Sequence, residues 1–125
     1  RFAMRPLAPG VHGMSNGALD APWPKTAAAM TRLDAWLSSS AAQPDDEGWP
    51  DLEPLFAALA DPTQAPDEAL PDTGVGLERE RFLSSAFIHG DAYGTRASTV
   101  VLIADDQARI VERRFGPGAR FDGET

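Results

Sequence analysis

The 125 residues amount to one ordinary domain and carry 19 Asp and Glu against 11 Lys and Arg, a net charge of −8. That sign excludes a sequence-independent grip on nucleic acid or anionic lipid, because both need a cationic face. No cysteine is present, which removes disulfides, thiolate metal sites and a cysteine nucleophile from this stretch, and no apolar run nears the roughly 18 residues of a membrane span. Composition does not fix the compartment, and a cytoplasmic location is the working expectation.

Residues 1–10, with Pro6, Pro9 and Gly10, read as an extended entry. Val11 to Ser15 is predicted as a short strand, closed by Asn16-Gly17, a dipeptide that favours positive φ. Pro24 suits the first position of a helix, and Met30, Leu33, Trp36 and Leu37 continue it to about Ser38. Ser38-Ser39-Ser40 and Asp45-Asp46-Glu47 form a polar loop. A second helix is predicted from Asp51, its cap, to about Ala60. Leu52, Leu55, Phe56 and Leu59 share one face at i, i+3, i+4 and i+7, and Asp61-Pro62 stops the helix. The acidic, proline-rich stretch over 61–78 reads as surface loop.

The last third changes character. Arg81 to His89 is read as containing one strand, followed by a turn over Gly90–Gly94. Arg96 to Ala104 is the strongest strand, with Val100, Val101, Leu102 and Ile103 in unbroken succession. Asp105 to Ala108 turns the chain, and Arg109 to Phe115 is predicted to pair antiparallel to it. An unbroken apolar run calls for cover on both sheet faces, more than two helices can supply. The core is thin besides. Leu, Ile, Val and Phe number 25 of 125, while Gly and Pro number 22, a balance near the limit for a self-sufficient fold. Residues 1–125 are therefore expected to be a single incomplete domain, prone to self-association through uncovered apolar surface.

Few residues offer chemistry. His12 and His89 lie at no metal-ligand spacing, and Asp45-Asp46-Glu47 lacks the alternation of a calcium loop, so no metal and no cofactor is expected. No Ser-His-Asp set or phosphate-binding glycine loop is present, and the three Trp have no basic residues interleaved for base stacking. Two places stand out. Asn16 ends an apolar segment with Gly17 beside it. An uncharged amide with two N–H donors suits an oxyanion, and a glycine admits close approach of substrate; an ordinary turn asparagine is the plainer reading. Tyr93-Gly94-Thr95-Arg96 leads into the strongest strand. An Arg there needs a carboxylate, a carbonyl or a ligand, and a structural salt bridge is the plainer reading.

Gly10-Val11-His12-Gly13-Met14-Ser15-Asn16 and Leu19-Asp20-Ala21-Pro22-Trp23-Pro24-Lys25, followed by Leu70-Pro71-Asp72-Thr73-Gly74-Val75 and Tyr93-Gly94-Thr95-Arg96-Ala97-Ser98-Thr99-Val100, stand in the order of a known signature. Together they resemble the NRDE, or transport and Golgi organisation, family over residues 7 to about 115. Met14, Ala21 and Ala97 are mild departures that touch packing rather than chemistry. The resemblance implies the C-terminal half of an α+β domain related to the N-terminal-nucleophile (Ntn) hydrolases, an αββα sandwich with antiparallel strands, here with two helices. It implies the missing N-terminal half as partner, with the nucleophilic Cys lying there and this stretch inactive alone. Asn16 and Arg96 then match catalytic positions, as oxyanion donor and thiolate support, with Gly17 and Tyr93 beside the substrate. The implied reaction is hydrolysis of a small non-peptide amide. The alternative is a non-catalytic carrier of haem or an acyl or lipid ligand.

Overall fold

In the computed structural model, which describes residues 3–125, Pro24 opens helix α1 (Pro24–Leu37) at a position where its missing N–H leaves no bond unmade. Trp36, on the inner face of α1, is buried and donates its indole N–H to the Asp51 carbonyl at 2.8 Å. That bond places helix α2 (Glu53–Leu59) against α1. The N-cap of α2 is Leu52, without a side-chain cap bond, and not Asp51 as expected; the Asp51 carboxylate instead accepts the Glu53 N–H at 2.9 Å in a turn that leads into the helix. The predicted stripe is inward: Leu52 and Phe56 are buried, Phe56 to 4% exposure, with Leu55 and Leu59 packed alongside.

The fold is α+β. Strands β1 (Ala97–Ile103), β2 (Ala108–Phe115) and β3 (Phe121–Glu124) form an antiparallel sheet in the order β1-β2-β3. Val100 faces Val111 and Ser98 faces Arg113 in the first pair. Ser98, Val100 and Leu102 turn toward the helices, and Val100 joins Trp36, Leu52 and Phe56 in the core. The opposite sheet face is open: Val101 is 52%, Ile103 83% and Ile110 65% exposed. The unbroken apolar run thus has one side covered and one bare.

Two further local expectations are corrected, and two elements are added. Arg81–His89 holds no strand. Its first residues end a third helix, α3 (Leu77–Leu83), where Leu, Glu and Arg are good helix formers and Glu78 pairs with Arg81 one turn on. Arg81 also forks onto Asp67 at 2.6 and 2.8 Å, and Glu80 turns inward to accept from the Thr73 backbone and hydroxyl. Val11–Ser15 has no regular structure, because a strand needs a neighbour and none lies beside it. Strand β3 was not predicted; it is short and contains Asp122-Gly123, which reads as a turn. A bulge between Arg114 and Phe115 accommodates its pairing, and Phe115 packs edge-on against Phe87 and Phe121.

Phe56→Ala in the full-length protein should cost about 3–5 kcal/mol in denaturant unfolding, through lost transfer energy and the cavity left behind. A loss below about 1 kcal/mol would place the stripe outside the core. The isolated 125 residues should bind a hydrophobic dye and self-associate through the open face of Val101, Ile103 and Ile110. A monomer with cooperative melting and no dye binding would contradict that.

Candidate functional site

The loop carrying Asn16 is built by a clasp. Asp20 closes it from one end: its carboxylate accepts from the Gly13 N–H at 2.8 Å and meets His12 Nδ1 at 2.8 Å, while its own N–H donates to the Gly13 carbonyl at 2.7 Å. Asp20 adopts φ of 57°, a left-handed conformation that Asp tolerates better than most residues. His12 Nε2 lies 2.8 Å from the Ala8 carbonyl. Both ring nitrogens therefore face acceptors, which favours the imidazolium. Accordingly the Asp20 carboxylate and the Ala8 carbonyl raise the His12 pKa, and the His12 contact holds the Asp20 carboxyl below its usual range. Asn16 sits exposed on the clasped loop, with no hydrogen bond from its side chain to any described residue. Gly17 lies against the Trp23 indole, where a Cβ would come within 2.9 Å of the ring, so the close approach observed there is to that ring.

The segment before β1 is equally fixed. Ile88 and Thr95 bond reciprocally, the Thr95 N–H donating to the Ile88 carbonyl and the Ile88 N–H to the Thr95 hydroxyl, both at 2.9 Å. This closes the Gly90–Gly94 turn tightly enough that a Cβ at Gly94 would lie 2.8 Å from the Ile88 carbonyl oxygen. Tyr93 projects from the turn, 62% exposed, with its ring 6.2 Å from that of Phe82. Arg96 follows. Its carbonyl accepts from the Phe115 N–H at 2.8 Å, its side chain is exposed, and no carboxylate among the described residues lies within ion-pair distance of it.

Asn16 and Gly17 thus share one loop, and Tyr93 and Arg96 another. Beside the first loop runs an apolar groove of about 950 Å³, lined by Gly10 to Ser15, by residues of α1 and α2 and by Thr99 to Ile103 of β1, with nothing from residues 88–96. Neither Asn16 nor Arg96 lines it. Lys25 does, and sequence reading had not singled it out. It is half-buried, donates to the Leu83 carbonyl at 2.8 Å, and burial lowers its pKa. No sequence signal marks it, because its partner Leu83 is 58 residues away, at the end of α3. His89 lies 2.9 Å from the Gly118 carbonyl, and the Asp45 carboxylate accepts from Glu47 and Trp49 N–H groups in a surface turn. Among the described residues no three His, Asp or Glu cluster as a metal site, and no helix is long and apolar enough to cross a membrane.

With this geometry the comparisons agree on a family. The family described as Transport and Golgi organisation 2 matches residues 2–117, and the chain belongs to it. It is 32% identical to a human protein named Transport and Golgi organization protein 2 homolog, over 116 residues, and 33% identical to the bovine protein of that name, over 113. Each match covers 86% of this chain and 39% of the relative, so the chain spans about two-fifths of their length. No solved structure matches.

Because the Asp20 and Ala8 contacts raise the His12 pKa, the clasp's His12 contribution should be complete below the ordinary His pKa of 6.5 and fade as pH rises through the raised value. The Asp20 contribution runs the other way, fading only in acid as pH falls through its depressed value. Asp20→Asn keeps a residue that accepts left-handed φ but removes the charge. In an NMR titration it should return the His12 pKa toward 6.5. An unchanged His12 pKa would mean that the contact is not made in solution.

Proposed function

We propose that this chain is the C-terminal part of an Ntn-type domain in which Asn16 and Arg96 serve a nucleophile supplied by polypeptide outside residues 1–125, and that the reaction is hydrolysis of a non-peptide amide. What supports this is a contrast at both positions. Asn16 lies in a loop closed by the Gly13–Asp20 bonds and Arg96 follows the turn closed by Ile88 and Thr95, yet the Asn16 amide and the Arg96 guanidinium are exposed and have no partner among the described residues. A structural salt bridge would instead place a carboxylate at Arg96. In the proposed reaction a thiolate attacks the amide carbonyl carbon, and the carbonyl oxygen becomes an oxyanion that accepts from Asn16 N–H. The C–N bond breaks, the amine leaves with a proton, and water hydrolyses the thioester. The Arg96 charge favours the thiolate before attack, and Tyr93 and Gly17 border the substrate.

A haem carrier finds less support in this region. Both His12 nitrogens are engaged, so iron ligation there would break the clasp.

In the full-length protein, Asn16→Leu should lower amide turnover by about 10²–10³ and shift Tm little, because an oxyanion donor acts only in the transition state. Arg96→Lys keeps the charge but loses the planar fork, and should lower turnover with the same small effect on Tm. A lowered Tm with unchanged turnover would assign both residues to the scaffold. A Soret shift on haem titration, abolished by His89→Ala, would favour the carrier.

A further inference from the structure

The helix face of the sheet carries a second cavity, of about 440 Å³, beside α2 and over the β2–β3 pair. It shares no lining residue with the apolar groove or with either candidate loop. Strand register explains how it forms. Ser98 lies opposite Arg113, and Phe115 lies opposite Phe121. Arg113 and Phe115 are two residues apart on β2, so both project from the face turned toward the helices. Phe56 closes the cavity from α2, with the Arg113 guanidinium 4.0 Å over its ring.

Ser98 is the unsatisfied group here. It is 7% exposed, and its hydroxyl makes no hydrogen bond among the described residues, whereas the equally buried Ser84 and Ser85 each donate to a backbone carbonyl. No fully enclosed side-chain oxygen among those residues lacks a partner, so the Ser98 hydroxyl is reached from the cavity rather than sealed beneath it. A buried hydroxyl left in that state gains from any ligand that bonds it. The walls are aromatic: the Phe115 and Phe121 rings stand 6.2 Å apart at 67°, and Phe121 is 59% exposed. The lining charges cancel. Arg113 bonds Glu124 at 2.6 Å and gives its other nitrogens to Glu53, so neither an anion nor a cation finds an unpaired opposite charge. Aromatic walls, balanced charge and one free hydroxyl are the complement of a neutral ring with a single polar substituent.

We propose that this cavity is a binding site for a small neutral aromatic molecule bearing a hydroxyl, with its ring against Phe115 and Phe121 and its hydroxyl bonded to Ser98 Oγ. A phenolic hydroxyl both donates and accepts, as does that of serine, so the pair is satisfied in either direction. The bound ring extends an aromatic cluster already present, in which Phe115 meets Phe87 and Phe121 edge-on. The site is separate from Asn16 and Arg96, and it holds whether the finished protein hydrolyses an amide or carries another ligand.

Phenol and toluene, which share a shape and differ in the hydroxyl, test this on the full-length protein. In an NMR titration phenol should shift the Ser98, Phe115 and Phe121 resonances along one saturable curve, with toluene binding at the same place more weakly. Ser98→Ala keeps the cavity and removes the hydroxyl. It should weaken phenol about 5–10-fold, the size of one lost hydrogen bond, and leave toluene unchanged. Phe121→Ala removes an exposed ring from a short outer strand, so the core stays intact, and it should weaken both ligands. Shifts that never saturate, or that fall only on residues of the apolar groove, overturn the proposal. So does a Ser98→Ala protein that binds phenol as tightly as before, or that loses phenol and toluene equally.

Discussion

Everything in this fold hangs on the contact between one helix face and one face of a three-stranded sheet, made by Trp36, Leu52, Phe56 and Val100. The cluster is small, and no large side chain in the described residues is completely buried. Hydrophobic stabilisation scales with apolar area removed from water, so so few buried residues give a limited driving force. Directional bonds supplement it. The Trp36 indole reaches the Asp51 carbonyl, and the Asp61 carbonyl accepts from Phe87, drawing the end of α2 to the segment that leads into β1. The helices thereby become a platform that leaves the second sheet face uncovered.

The two candidate loops are built differently from this core. Around Asn16 the bonds run through the charged groups of His12 and Asp20. Around Arg96 they run through the Thr95 hydroxyl and backbone, with glycine required by close approach. Both loops keep their shape with little hydrophobic burial of their own. Loops stiffened in this way can present polar side chains to solvent without collapsing onto the core, as a site completed by another part of the protein requires.

Periodicity made the local elements legible where one face alone decides the outcome. Leu52, Leu55, Phe56 and Leu59 could form only one buried helical stripe, and Val100 to Ile103 only a strand. It failed at Arg81–His89, where Phe82, Leu83, Phe87 and Ile88 suit either element and the deciding contacts, Arg81 to Asp67 and Glu80 to Thr73, join residues that are distant in sequence. Strand β3 was hidden because Asp122-Gly123 reads as a turn and its pairing depends on a bulge. For the site, sequence supplied Asn16, Gly17, Tyr93 and Arg96 as residue types in a familiar order. The clasp at His12 was not legible, since a histidine with a carboxylate eight residues away carries no spacing signal. The half-buried position of Lys25 was equally hidden, because it depends on where α3 ends.

Arg113 has a separate consequence. Its guanidinium stacks 4.0 Å above the Phe56 ring, pairs with Glu53 of α2, and bonds Glu124 of β3 at 2.6 Å. One cation therefore ties a helix and the final strand to the middle of the sheet, and these two carboxylates hold its own pKa above the usual arginine range. The ring contact is short-ranged and shielded from solvent, whereas the carboxylate contacts are exposed and weaken as salt shortens the Debye length. The molecule consequently has an ionic hinge at its C-terminal end: rising ionic strength should free β3 while Phe56 stays seated, and the chain should fray from Thr125 inward before its core is disturbed.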